Sequence, residues 1–320
     1  MFELGGSDSQ PEDLSQQQFR QFINTHGVLK IRDVSESRHR AITDRFGCNW
    51  SNFDWAQSKP WRGGPINKTG RIESAAHAVP PHSEYSGHPA YPQLLWMYCV
   101  EPAKQGGETF VYDGMAVARE MPAQLRELFS GRTLKNFIQL PLAGVLRDYA
   151  VADVDQLQQL IRDRGWEVNM RIDETLVTIE REWPAFAQHA ESGEDIFCNS
   201  IVFNAEYSAL VYALVKALPG NTPLQGVRSR LFSWLNRLPP KLLKASRGKG
   251  YCVTPMFKDG SMITRRTVQE LSVVLEKIAL PLDWRPGDLV AIDNHRFMHG
   301  RGKTELGPRK LVVRAGDHAN

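Results

Sequence analysis

The residues best placed for chemistry begin at His82-Ser83-Glu84, directly after Pro80-Pro81. In extended chain, residues i and i+2 point to the same side, so an imidazole and a carboxylate can reach one metal ion together. The Pro-Pro pair stiffens the approach and lowers the entropy cost of holding them there. Two ligands leave a metal under-coordinated, so a third must come from elsewhere in the chain. Two histidines plus one carboxylate on one face, with the other positions open, is the donor set of non-haem iron(II) oxygenases. Alone, H-x-E in a chain with nine histidines reads first as a surface turn, and the metal reading needs support from a second segment.

That support lies near the C-terminal end, in WRPGDLVAIDNHRFMHGR, residues 284 to 301. It offers two candidate third ligands, His295 and His299. A strand running into Asp293-Asn294 and a turn would set His299 at the start of the next strand, the place for a distal ligand. His295, in the turn, reads as facing solvent or substrate. Asp293 and Asn294 read as holding that turn through side-chain to backbone hydrogen bonds. Beyond His299 come Arg309 and Arg314, flanking KLVV. A 2-oxoglutarate molecule that chelates iron through its keto-acid end needs a fixed cation for its far carboxylate, and the planar fork of arginine meets that need. An arginine one hairpin past the distal histidine has the right reach, against the plainer reading of two solvated strand-edge charges. His77 and His88 read as polar residues lining or covering the pocket.

Elements to position these side chains are legible in outline. Residues 11 to 25 read as a helix with Leu14, Phe19, Phe22 and Ile23 inward, followed by a strand at VLKIRD. A second short helix fits residues 36 to 46, and residues 47 to 70 read as a long surface loop. Strands follow at RIESAAHAV, at 94 to 100, where every residue is apolar as in a strand buried on both faces, and at 108 to 112. Helices are expected over 115 to 129, 208 to 218 and 266 to 280, with strands returning at LVAID and KLVVR. Strands, a helical middle and strands again, without strand–helix alternation or repeats, argue for a β core carrying a helical insertion rather than a parallel α/β fold.

Taken together, the blocks PPHSEYSGHPAYPQLLWMYCVEPAKQGGETFVYD (80 to 113), WRPGDLVAIDNHRFMHGR and GPRKLVV resemble the TauD/TfdA superfamily of Fe(II)/2-oxoglutarate-dependent dioxygenases, and within it the SyrP-like branch of natural-product pathways. The resemblance implies a mainly β fold with α insertions on a double-stranded β-helix (jelly-roll, cupin-like) core. It implies one TauD-like oxygenase domain over residues 1–320, with a helical insertion at about 115–235. It implies His82, Glu84 and His299 as metal ligands, Thr109 and Arg309 as 2-oxoglutarate contacts, and Arg314 as the residue that meets a substrate's anionic group. The cofactors implied are Fe(II), 2-oxoglutarate and O2. Because Glu84 keeps the carboxylate that related halogenases lose, hydroxylation is expected rather than halogenation, with desaturation or epoxidation set by substrate pose. The expected substrate is an amino-acid-like molecule, free or tethered to a carrier protein, in antibiotic-type biosynthesis. Catabolic oxidation of a free sulfonate, phosphonate or carboxylate is the enzymatic rival, and a metal- or ligand-binding protein on the same barrel is the other.

Composition bounds the remaining possibilities. At 320 residues, with 42% hydrophobic and 23% charged, the chain fits an ordinary globular protein rather than a disordered one. No stretch approaches the ~20 apolar residues of a membrane helix. The N-terminus is acidic and polar rather than signal-like, and Cys48, Cys99, Cys198 and Cys252 lie far apart. A cytoplasmic setting is therefore expected. A net charge of +3 says nothing about partners. Residues 226 to 250 hold seven basic and no acidic residues. They read as a solvated face, with docking of an acidic carrier protein as second reading and no nucleic-acid role expected. Gly302-Lys303-Thr304 lacks the glycine at position 297 that a phosphate loop needs, since Phe297 stands there. Oligomeric state is not legible in the sequence.

Overall fold

Strand Leu94–Glu101 is apolar almost throughout because both of its faces are covered, and the rest of the fold is arranged around it. The computed structural model describes residues 2–4, 13–47, 70–73, 78–84, 91–148, 151–163, 169–173, 176–206, 251–252, 256–306 and 309–319. In chain order come β1 (Phe2–Leu4), α1 (Gln16–His26), β2 (Val28–Ile31), α2 (Glu36–Phe46), β3 (Gly70–Glu73), β4 (Val79–His82) and β5 (Leu94–Glu101). Next are β6 (Gln105–Gly106), β7 (Thr109–Asp113), α3 (Gly114–Glu120), α4 (Ala123–Phe129), β8 (Thr133–Pro141), α5 (Leu142–Asp148) and α6 (Val154–Asp163). They are followed by β9 (Asn169–Asp173), β10 (Leu176–Pro184), β11 (Ala187–Gln188), β12 (Asp195–Ile196), α7 (Ile201–Glu206), β13 (Tyr251–Cys252) and β14 (Met256–Phe257). The last are α8 (Arg265–Ile278), β15 (Leu280–Leu282), β16 (Leu289–Asp293), β17 (Phe297–Arg301), β18 (Thr304–Leu306) and β19 (Lys310–Gly316).

Two sheets form the core. The larger runs β1-β2-β16-β5-β19-β3, and the smaller runs β15-β7-β17-β4. Every described pairing is antiparallel except β1 with β2. Val28, Leu95, Met97, Val290, Ile292, Leu311 and Val313 of the large sheet meet Val111 and Phe297 of the small one. This is the expected jelly-roll, two facing sheets with strands from both chain ends interleaved. Alternation sorts the side chains: along β17, Phe297 enters the interior while Met298 joins the cluster on the outer face. His299 and Arg301 share the parity of Phe297 and face inward.

Helices cover both outer faces. Phe19 and Ile23 of α1 and Ile42 and Phe46 of α2 pack on Leu29, Trp96 and Leu289 of the large sheet. Helix α1 starts at a capping box, with the Gln18 N–H donating to Ser15 Oγ at 3.1 Å and the Ser15 N–H to Gln18 Oε1 at 2.8 Å. Such a cap contributes about 1 kcal/mol. On the other side, α3, α4 and α8 cover Tyr112 and Met298.

Two expectations change. The helix expected over 115 to 129 is two helices, because Pro122 biases its predecessor away from helical backbone and Met121 adopts φ −66°, ψ 127°. The stretch expected as a helical insertion, about 115–235, contains α3 to α7 but also a sheet of its own. Residues of β10 pair with β8 from Leu176↔Pro141 to Pro184↔Thr133, and with β9. Val177, Thr178 and Ile179 are the β-branched residues that favour that pairing. The helix expected at 208 to 218, the basic run at 226 to 250, His77, His88 and most of the loop expected at 47 to 70 lie outside the described residues.

Candidate metal centre

Three strands of the small sheet bring the centre together. His299 on β17 stands opposite His82 on β4 and opposite Val111 on β7. Glu84 lies two residues past His82, so its carboxylate returns to the same side. His82 Nε2 is 3.5 Å from Glu84 Oε2, and His299 Nε2 is 3.4 Å from the same oxygen. Among the described residues these three form the one group whose ligand atoms all lie within 4.8 Å of one another. For a first-row divalent ion with bonds of roughly 2.1 Å meeting at right angles, ligand atoms sit about 3 Å apart. The trio therefore needs only a small closing movement. Two imidazoles and a carboxylate on one side fit an iron(II)-type site with open positions.

Each ligand is held from behind. The Pro80 carbonyl lies 2.9 Å from His82 Nδ1 and can only accept, so that nitrogen carries the proton and Nε2 is left for a metal. The ring of Phe203, on α7, packs 4.5 Å from the His82 ring. Ser83 points away from the centre, where its Oγ donates to the Asn294 carbonyl at 2.7 Å. Ser200 Oγ accepts from the Ser83 N–H at 3.3 Å and donates to the Ser83 carbonyl at 3.1 Å.

Asn294, fully buried at 0% exposure, clamps the carboxylate ligand. Its Oδ1 accepts from the Glu84 N–H at 2.8 Å, and its Nδ2 donates to the carbonyls of Glu84 and Pro92, both at 2.9 Å. The amide thus pairs with the Glu84 backbone as a neighbouring strand would. The sequence expectation that Asn294 braces its own turn is corrected: Asp293 does that, accepting from the N–H groups of His295 and Arg296 at 2.9 and 3.2 Å. His295 stacks on Tyr91 with ring centroids 4.2 Å apart and takes no part in the trio.

Two residues further along the same inward face, about 7 Å away at ~3.4 Å per residue, lies a cationic end. Thr109 stands opposite Arg301 across β7 and β17. Thr109 Oγ1 accepts from Arg309 Nη2 at 2.7 Å and from Trp284 Nε1 at 2.9 Å. With both lone pairs engaged, its hydroxyl hydrogen is left to donate to something else. Gly106 and Gly107, at φ 68° and 70°, supply the left-handed backbone of the preceding turn. A Cβ on Gly107 would come within 3.3 Å of Arg309 Cδ. Burial and then the like charge of Arg301 pull Arg309 down from 12.5 to about 10, still protonated at neutral pH. Glu108 is the carboxylate whose charge is felt at Arg309, more weakly than that of Arg301, and the hydrogen bond of the guanidinium goes to Thr109. A buried guanidinium and an outward hydroxyl beside a metal trio fit the far carboxylate of a diacid bound to that metal.

Arg314 is not brought to the site. It shares the parity of Val312, which faces the helices, whereas Leu311 and Val313 face the interior. Its Nη2 donates to Asp44 Oδ1 at 2.6 Å and its Nη1 to Thr43 Oγ1, both on α2. The expected contact with a substrate's anionic group is therefore withdrawn.

The sequence model of the family described as "Taurine catabolism dioxygenase TauD, TfdA family" matches residues 3–315. Among solved structures the chain is similar to the PvcB protein from Pseudomonas aeruginosa, with TM-score 0.51 and 14% identity over 99% of this chain and 84% of that one. It is also similar to AAD-2, solved in complex with Mn(II) and N-oxalylglycine, with TM-score 0.52 and 12% identity over 99% of this chain and 93% of that one. At such identities the likeness is one of fold. No curated protein matches the sequence.

Proposed function

This chain belongs to the TauD, TfdA dioxygenase family, and from that premise we propose that it hydroxylates an amino-acid-like substrate, free or carrier-tethered, using Fe(II), 2-oxoglutarate and O2. The observation that carries the reading is the pairing of one metal trio with a buried arginine held on a threonine along a single face: His82, Glu84 and His299, then Thr109 and Arg309. The Mn(II) and N-oxalylglycine held by AAD-2, a fold relative, are consistent with it.

In this reading His82, Glu84 and His299 would hold the metal. Arg309 and Thr109 bind the far carboxylate of 2-oxoglutarate and so fix which way its keto acid points. Asn294, Ser83 and Ser200 hold the Glu84 segment, and Phe203 limits the tilt of His82. When bound, iron supplies the oxidising chemistry: 2-oxoglutarate and O2 become succinate and carbon dioxide, and one oxygen atom enters a substrate C–H bond. The protein supplies geometry, charge and shelter from water. The same reading takes residues 1–320 as one oxygenase domain carrying an insertion.

The preference for an amino-acid-like substrate rests on the resemblance of the sequence blocks to the SyrP-like branch. Arg314, which the resemblance implied as the contact for a substrate's anionic group, pairs with α2 instead, so no cation from that position supports a free sulfonate or phosphonate. The test is iron-dependent succinate formation from 2-oxoglutarate across free amino acids, carrier-tethered aminoacyl groups and free sulfonates, phosphonates and carboxylates. Succinate coupled to hydroxylated amino acid is expected. Succinate coupled only to a free sulfonate, phosphonate or carboxylate would establish the catabolic rival. Bound iron with no succinate on any substrate would leave a metal-binding protein.

A further inference from the structure

We propose that Arg301 is a second cationic contact for the far carboxylate of 2-oxoglutarate, so that the diacid's tail sits between two arginines rather than on one. The inference rests on the co-substrate reading above and extends it.

Placement is the first argument. Arg301 lies two residues beyond His299 on β17 and therefore on the same inward face. The β17–β7 register sets it directly opposite Thr109, whose Oγ1 already receives Arg309. Arg301, from the small sheet, thus stands across from the threonine that Arg309 reaches from the segment entering β19 in the large one. Both are buried, at 6% and 4% exposure, and the charge of Arg301 is felt at Arg309 as its strongest charge interaction.

Charge balance is the second. Like charges held close in a medium of low dielectric repel strongly, and burial removes the water that would screen them. Glu108 offsets part of that repulsion at Arg309, and a ligand carboxylate reaching both arginines would add two attractions to the contacts they already make. Its two oxygens offer about four acceptor sites. The fork of Arg309 and the Thr109 hydroxyl fill at most three, which leaves one for a second cation. Arginine suits this better than lysine because its delocalised charge is more weakly hydrated and its planar donors hold direction.

The test uses the full chain loaded with Zn(II), which the same ligands accept and which neither turns over nor broadens resonances. Binding of 2-oxoglutarate is compared by calorimetry with that of 2-oxobutyrate, a keto acid without the far carboxylate. Arg301→Gln is expected to weaken 2-oxoglutarate roughly tenfold or more, tenfold being about 1.4 kcal/mol, and to leave 2-oxobutyrate unchanged. Arg301→Lys, which keeps the charge without the fork, is expected to fall between. In the wild-type chain, the Nε–Hε resonances of both arginines are expected to shift with 2-oxoglutarate and not with 2-oxobutyrate. These signals decide the matter should Arg301→Gln fail to fold. Undiminished preference for 2-oxoglutarate in a folded Arg301→Gln chain, or a shift at Arg309 alone, overturns the proposal. Wild-type protein that binds the two keto acids equally would overturn the co-substrate reading and this inference together.

Discussion

Two buried charged clusters share the sandwich interior and differ in how they are neutralised. In the first, Lys30 and Asp288 are each 1% exposed and lie 3.3 Å apart. Asp288 Oδ2 also accepts from Arg32 Nη1 at 2.7 Å and from the Arg285 N–H at 2.8 Å, and Lys30 donates to the Asp283 carbonyl. In the second, Arg309 donates to a threonine and meets the charges of Arg301 and Glu108. Cys99 feels both: burial and then Asp288 push its thiol up to about 12, while Arg309 and Lys30 pull the other way. The first cluster answers its own charges and so belongs to folding. In the second, the charge felt most strongly at Arg309 is the like charge of Arg301, ahead of the opposing charge of Glu108, and a cluster poised this way is a candidate for binding an anion.

The sharpest way to break this comparison is to remove one charge from each cluster. Asp288→Asn strands Lys30 in the interior and is expected to cost about 3–5 kcal/mol of stability, as breaking a buried pair does. Arg309→Met removes a buried cation whose strongest charge interaction is the repulsion from Arg301. It is expected to leave the ligand-free protein as stable or more stable, by up to about 3 kcal/mol. The same change should weaken 2-oxoglutarate by about 2–5 kcal/mol. Chemical denaturation, with and without 2-oxoglutarate, reads both. Destabilisation of similar size in the two variants would erase the distinction between a closed and an open cluster.

Next in size is the metal trio. His299→Ala removes a direct ligand and is expected to lower metal affinity more than 100-fold, beyond the 10–100-fold typical of supporting groups. Metal titration followed by succinate formation checks it. Retained iron-dependent turnover would mean that another side chain completes the site, with His295 the nearest alternative in sequence. Asn294→Ala is expected to fall within the 10–100-fold range for metal affinity, and to cost about 1–3 kcal/mol for the backbone groups it leaves unsatisfied. A loss of stability without any loss of metal affinity would reduce Asn294 to a folding role.

These residues were unequally legible. His82 and Glu84 stand out because donor type and spacing are local properties, and His299 enters as one of two candidate third ligands. Thr109 is implied only by the family resemblance, and Arg309 is one of two arginines whose chemistry suits a carboxylate. Asn294 was visible but misread: a side chain that pairs with backbone 210 residues away looks, in sequence, like one that caps its own turn. Ser200 and Phe203 carry no signal of their own, since only the return of the insertion over β4 gives them a role. The β8–β10 sheet was missed because pairing is non-local, although the β-branched run Val177-Thr178-Ile179 was there to see. Arg314 held a usable clue: five residues after Arg309, an odd spacing, it falls on the opposite side of any single strand.

The smallest expected effect tests that last point. Asp44 is 60% exposed on its side of the pair, and exposed ion pairs contribute at most about 1 kcal/mol. Asp44→Ala should therefore lower stability by less than that, and Arg314→Gln by somewhat more, since it also deletes the hydrogen bond to Thr43 Oγ1. Because β19 turns Arg314 toward the helices, neither change has a route to the interior. Affinity for 2-oxoglutarate and the rate of succinate formation should match those of the unaltered chain. A several-fold rise in the KM for the organic substrate in Arg314→Gln but not in Asp44→Ala would show the guanidinium reaching substrate after all. The division of labour between the two arginines would then have to be redrawn.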